Sequence, residues 1–90
     1  MNIKLNIVND YDLLLNKGDG LVIPNPELGY EQLIIICPAC GKITAPKGTL
    51  DSNGKHKFDK KTLSVTPSIV HNKELGGCGW HGFLTNGIFQ

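Results

Sequence analysis

The chain has 90 residues, nine of them basic and eight acidic, for a formal net charge of +1. That length suits one domain and buries only about 60% of its unfolded surface, so a staple such as a metal is expected. Every basic residue is lysine, and a near-neutral chain without arginine, the side chain that forks onto guanine and phosphate, makes a poor dedicated nucleic-acid reader.

Met1 to Leu5 carries no long apolar run, which excludes a signal peptide or membrane anchor there and points to a soluble cytoplasmic protein. Residues 2–9 alternate, with Ile3, Leu5 and Ile7 on one face, and predict a half-buried strand. Asp10 to Gly18 is too short for a self-sustaining helix, but Asp10 can cap a turn or two and Gly18 can end it, with Leu13, Leu14 and Leu15 assigned to the core. Leu21 to Ile23 is a brief strand stopped by Pro24, and residues 25–30 read as loop. The apolar run Gln32 to Ile36 suits a central strand covered on both faces. Residues 32–45 then form a hairpin with Cys37 and Cys40 at its tip.

Residues 46–61 are the least regular. Asn53-Gly54 predicts a tight hairpin tip, and lysines 47, 55, 57, 60 and 61 make this a basic stretch, either a solvated loop or a contact for an anionic partner. Thr62 to Thr66 alternates with Leu63 and Val65 inward, Pro67 to Val70 ends that strand, and residues 71–77 are a loop or single helical turn. Asn86-Gly87, between Gly82–Thr85 and Ile88–Phe89, is the strongest hairpin signal in the chain.

The chemistry concentrates in two turns, Cys37-Pro38-Ala39-Cys40-Gly41 and Cys78-Gly79-Trp80-His81-Gly82. Two soft ligands at a two-residue gap, repeated, are the mark of a four-ligand zinc site, and the glycine after each pair lets the backbone fold tightly. Three cysteines leave a disulfide framework one thiol over, whereas three cysteines and a histidine complete a tetrahedron, which implies a reducing compartment. The reading is one structural Zn2+ on Cys37, Cys40, Cys78 and His81, with His71 the alternative fourth ligand and His56 merely solvated. Cys-x-x-Cys redox catalysis needs a following helix, but Gly41-Lys42-Ile43-Thr44 is strand-like. Metal-assisted catalysis needs an open coordination position, which four protein ligands close. Trp80 is either a packing plate or a partner anchor. Ser68 has no base beside it in sequence, so no nucleophile is assigned.

The stretch from Leu63 through Pro67-Ser68-Ile69, Cys78-Gly79-Trp80-His81 and Asn86-Gly87-Ile88 resembles a family of small bacterial and phage proteins with a Pro-Ser-Ile segment and a Cys-x-x-His turn. Cys-Pro-Ala-Cys-Gly looks like half of a zinc-ribbon knuckle. The resemblance implies a phage origin and a zinc-bound β fold, but no activity. The expected protein is therefore a single, mostly β, zinc-stabilised antiparallel domain over residues 1–90, zinc-ribbon-like, with two knuckles and room for one short helix. Its expected function is a non-catalytic, phage-encoded protein-binding or assembly module. Its partner would be a virion component or a host protein, such as a defence enzyme that it inhibits, met in host cytoplasm or virion and at no membrane. The alternatives are nucleic-acid binding through the lysine-rich residues 47–61 and a zinc-dependent hydrolase.

Overall fold

The computed structural model describes residues 2–27, 29–44 and 56–90. The Asn53-Gly54 turn and the basic positions 47 and 55 lie outside them. The described residues are mostly β, with nine strands in one sheet and no α-helix. In chain order they are β1 (Ile3–Lys4), β2 (Asn6–Val8), β3 (Asp19–Asn25), β4 (Tyr30–Ile36), β5 (Ile43–Thr44), β6 (Lys57–Asp59), β7 (Ser64–Val70), β8 (His81–Thr85) and β9 (Ile88–Phe89). Among them no helix is long and apolar enough to cross a membrane.

The spatial order is β1-β9-β8-β7-β6-β4-β3-β2, with β5 also on β4. Only Leu5 separates β1 from β2, so the two ends of that order are neighbours in the chain and the sheet closes into a near-barrel. Leu5 N–H donates to Gly87 O at 2.8 Å, and Asn6 N–H donates to Gly18 O at 3.0 Å, one bond to each side of the seam. The single strand expected over 2–9 is thus broken at Leu5. Leu5 itself is buried in the core while Ile7 is exposed. Closure abolishes most of the unpaired edge that an open sheet would offer to other chains. The pairing is antiparallel except for β2 on β3.

Leu5, Ile35, Phe58, Ile69, Leu84 and Phe89 fill the interior. A fully buried side chain of this size contributes about 1.5–3 kcal/mol. The Asp10–Gly18 stretch forms one 3-10 turn, Tyr11–Leu13, which Asp10 caps by accepting from Asp12 N–H. Of the leucine triplet only Leu14 is buried, because a 3-10 turn has no face wide enough for three. Pro24 does not stop β3. Past Leu21 that strand has β4 alone as neighbour, and the missing N–H of proline is tolerated on an open edge. The β4–β5 hairpin and the β8–β9 hairpin form as expected. Asn86 and Gly87 both take positive φ, 51° and 78°, the geometry that a two-residue turn of this hand requires.

Candidate functional site

The turn at the tip of β4–β5 is closed by Gly41 N–H donating to Cys37 O and Cys37 N–H to Lys42 O, at 2.9 and 2.8 Å. Gly41 sits at φ 79°, so the turn bends back and presents both Cys37 and Cys40. The second turn begins at the end of β7. Asn72 caps a 3-10 turn over Lys73–Leu75, Gly76 takes φ 95°, and Gly77 packs so closely on His71 that a Cβ would overlap its backbone and ring. The chain thus doubles back, and Cys78 returns to His71.

Cys37, Cys40, His71 and Cys78 lie with their ligand atoms within 4.8 Å of one another and can hold a metal ion. Cys37 Sγ is 3.7 Å from Cys78 Sγ, and His71 Nδ1 is 3.6 Å from Cys40 Sγ and 3.4 Å from Cys78 Sγ. Burial, with the neighbouring thiols of Cys40 and Cys78, pushes the Cys37 thiol up to about 11. Burial also works upward on Cys78, but the backbone N–H of Trp80 and the flanking thiols outweigh it and bring that thiol down. Burial, and then the charge of Lys42, lower His71 and favour the neutral imidazole, the form that ligates metals. The structure brings three of the four predicted ligands together and replaces the fourth: His71, not His81, completes the cluster. The reason is the doubled-back loop, which makes seven residues of chain into a contact.

His81 lies elsewhere. It opens β8 in register with Val70 on β7 and points to the outer face, where its Nε2 stands 3.1 Å from Ser68 Oγ. Strand alternation places Ser68 and Val70 on one face of β7 and His81 and Phe83 on one face of β8. Between the pairs Val65–Leu84 and Ile69–Gly82, β7 takes four steps while β8 takes two, a bulge of two extra residues that contains Pro67 and Ser68. Bulges of this kind re-aim side chains and occur beside active sites. Pro67 therefore does not end the strand, which runs on to Val70. The other described serine, Ser64, is occupied in a turn: its Oγ donates to Thr62 O and accepts from Asn86 N–H. Among the described residues, no carboxylate is in hydrogen-bond reach of His81.

His56 is not solvated but 2% exposed, and its Nε2 lies 3.2 Å from the carbonyl oxygen of Ser68. Trp80 is half-buried and meets Phe89 edge-on, with ring centroids 6.2 Å apart, so it is a packing plate. Ser68 was the residue hidden from sequence reasoning. His81 lies 13 residues away and arrives only through the β7–β8 pairing. The available signal was a mirrored spacing, Ser68-x-x-His71 and Cys78-x-x-His81, in which each strand supplies one member to each pair.

Residues 9–90 match the sequence profile of a family described as the bacterial ubiquitination-like system serine protease, BubE. The chain belongs to that family. No curated protein and no solved structure shows significant similarity to it. Membership in a family of serine proteases overturns the non-catalytic binding module, its nucleic-acid and zinc-hydrolase alternatives, and the expectation that the chain is no enzyme. The family's description names a bacterial system and carries neither a phage nor a zinc. The sequence reading gave His81 to the metal, whereas the structure sets its Nε2 against Ser68 Oγ.

Proposed function

We propose that this chain is a serine hydrolase in which Ser68 is the nucleophile and His81 the general base, acting on an acyl bond of a protein within a bacterial ubiquitination-like system. The observation that carries this reading is the 3.1 Å approach of His81 Nε2 to Ser68 Oγ, on a bulge that turns both toward solvent. With the imidazole proton on Nδ1, the Ser68 hydroxyl donates to Nε2, the direction that general-base activation requires. Ser68 Oγ then attacks the acyl carbon as its proton passes to His81. His81 returns a proton to the departing amine or alcohol, and water releases the acyl group by the same path. Among the described residues the pair has no carboxylate partner, a variant of the logic found in larger triads.

A protein substrate fits the setting better than a small molecule. The pair lies on an open sheet face, beside Phe83, which is 54% exposed with its ring 6.1 Å from that of His81. An exposed aromatic ring next to the reacting atom offers an apolar platform, and a macromolecule can supply the remaining contacts from its own surface.

The metal of the Cys3His cluster is, in this reading, one structural zinc. A zinc tetrahedron with Zn–S of about 2.3 Å and Zn–N of about 2.0 Å has S···S edges of about 3.8 Å and S···N edges of about 3.5 Å. Three of the six edges, at 3.7, 3.6 and 3.4 Å, match, and all four ligand atoms lie within 4.8 Å of one another. Four protein ligands leave no position for a reactive water, so its work is to hold β7 and β8 together three residues from Ser68 and His81.

A fluorophosphonate probe tests the reading without a known substrate. The wild-type chain is expected to gain one phosphonyl group on Ser68 by intact mass and peptide mapping. Ser68→Ala should abolish labelling and His81→Ala should slow it by roughly a thousandfold, while Ser52→Ala labels normally. Labelling that persists in Ser68→Ala would reject Ser68 as nucleophile.

A further inference from the structure

A third histidine approaches the same serine from the other side. His56 immediately precedes β6, whose Lys57 pairs with Thr66 on β7, so its ring enters beneath the bulge. At 2% exposure it is shut away from water, and its Nε2 is 3.2 Å from the carbonyl oxygen of Ser68. A carbonyl can only accept, so Nε2 carries the proton in this contact. Among the described residues the β6–β7 pairing ends at Lys57–Thr66, two residues short of Ser68, and a carbonyl left without a partner is costly. The imidazole supplies the bond that the partner strand does not.

We propose that His56 is a positioning residue for the nucleophile: its Nε2–H pins the Ser68 backbone so that Oγ stays in line with His81. The inference rests on the reading of Ser68 as nucleophile. His56 touches no reacting atom. A bulge is free to rock about its unpaired residues, and a displacement of about 1 Å at a nucleophile can cost on the order of a hundredfold in rate. A hydrogen bond from below, fixed by a buried ring, removes that freedom at the residue where it matters.

The test is the second-order rate constant for fluorophosphonate labelling, in which Ser68 Oγ attacks phosphorus, the P–F bond breaks, fluoride leaves and the hydroxyl proton passes to His81. His56→Leu, which keeps the volume and loses the donor, should label roughly ten- to a hundredfold more slowly. His56→Gln, whose amide nitrogen reaches a similar point, should recover most of the rate. Both should retain one metal per chain and a cooperative thermal transition. Wild-type labelling in His56→Leu overturns the proposal, and so does an equal loss in two folded variants, because then the ring matters and its hydrogen bond does not. A wild-type measurement stands beside these: long-range proton–nitrogen NMR should show a proton on His56 Nε2, and a bare Nε2 also overturns the proposal. Failure of Ser68→Ala to abolish labelling would instead strike the catalytic reading itself, so the two outcomes separate.

Discussion

Asp19 shows how one side chain closes the sheet. Only 4% exposed, it accepts from Asn16 N–H at 2.8 Å and Leu15 N–H at 3.0 Å through one oxygen and from Asn6 Nδ2 at 3.0 Å through the other. Asn6 opens β2 and residues 15–16 lead into β3, so the carboxylate ties the seam strand to the turn before its partner. Burial works to raise its pKa, but the three donors outweigh it and hold it below the ordinary aspartate value of 3.8. A folded-state value below the unfolded one contributes stability at pH above 3.8 that is lost as pH falls through the folded value. Asp19→Asn should therefore cost about 1–3 kcal/mol at neutral pH, because an amide cannot accept at both ends and leaves buried N–H groups unmatched. In urea titrations, the gap between wild type and variant should be wide at pH 7 and narrow in strong acid. A gap independent of pH would show that charge is not what matters at this position.

At the scale of elements, the β7–β8 ladder sets the spacing of the reactive pair, and Gly82 sets how closely the ladder lies on its neighbours. A Cβ on Gly82 would overlap the carbonyl oxygen of Gln90 and the ring of Trp80. Gly82→Ala should force β8 outward, lower stability by about 1–3 kcal/mol and displace His81, the adjacent residue. Thermal melts and labelling rates check the two effects together; a variant that melts and labels like wild type would show that the strand accommodates the methyl group.

The ladder also shows what a sequence reveals and what it hides. Alternation at Val65 and the Asn86-Gly87 turn mark β7 and the last hairpin, because a two-residue period and a positive-φ pair are local. The break at Leu5 is not local: a period says which face a residue takes and not which strand lies beside it. The metal turns were legible at Cys37, Cys40 and Cys78, where the spacing itself makes the geometry. The fourth position was not, since His71 and His81 differ in the path of the loop and not in their distance along the chain. That one ambiguity hid the Ser68–His81 contact, because His81 cannot face Ser68 and the metal together.

For the whole molecule, the cluster ties together two turns whose strands are linked through β6. Cys37 and Cys40 come from the β4–β5 tip, and His71 and Cys78 from the loop that joins β7 to β8, with β6 between them. Structural zinc binds small peptides with an apparent ~10–16 kcal/mol, as large as the ~5–15 kcal/mol that stabilises a typical domain, so metal loss should unfold much of this chain. Native mass spectrometry of chain purified without chelator should find one zinc. A strong chelator should remove it, abolish the cooperative melt and stop fluorophosphonate labelling, and added zinc should restore all three. The variants divide the roles: His71→Ala should lose zinc and labelling together, whereas His81→Ala should keep zinc and its melting transition while losing labelling alone. Loss of zinc in His81→Ala with retention in His71→Ala would return the fourth ligand to His81 and leave Ser68 without its base.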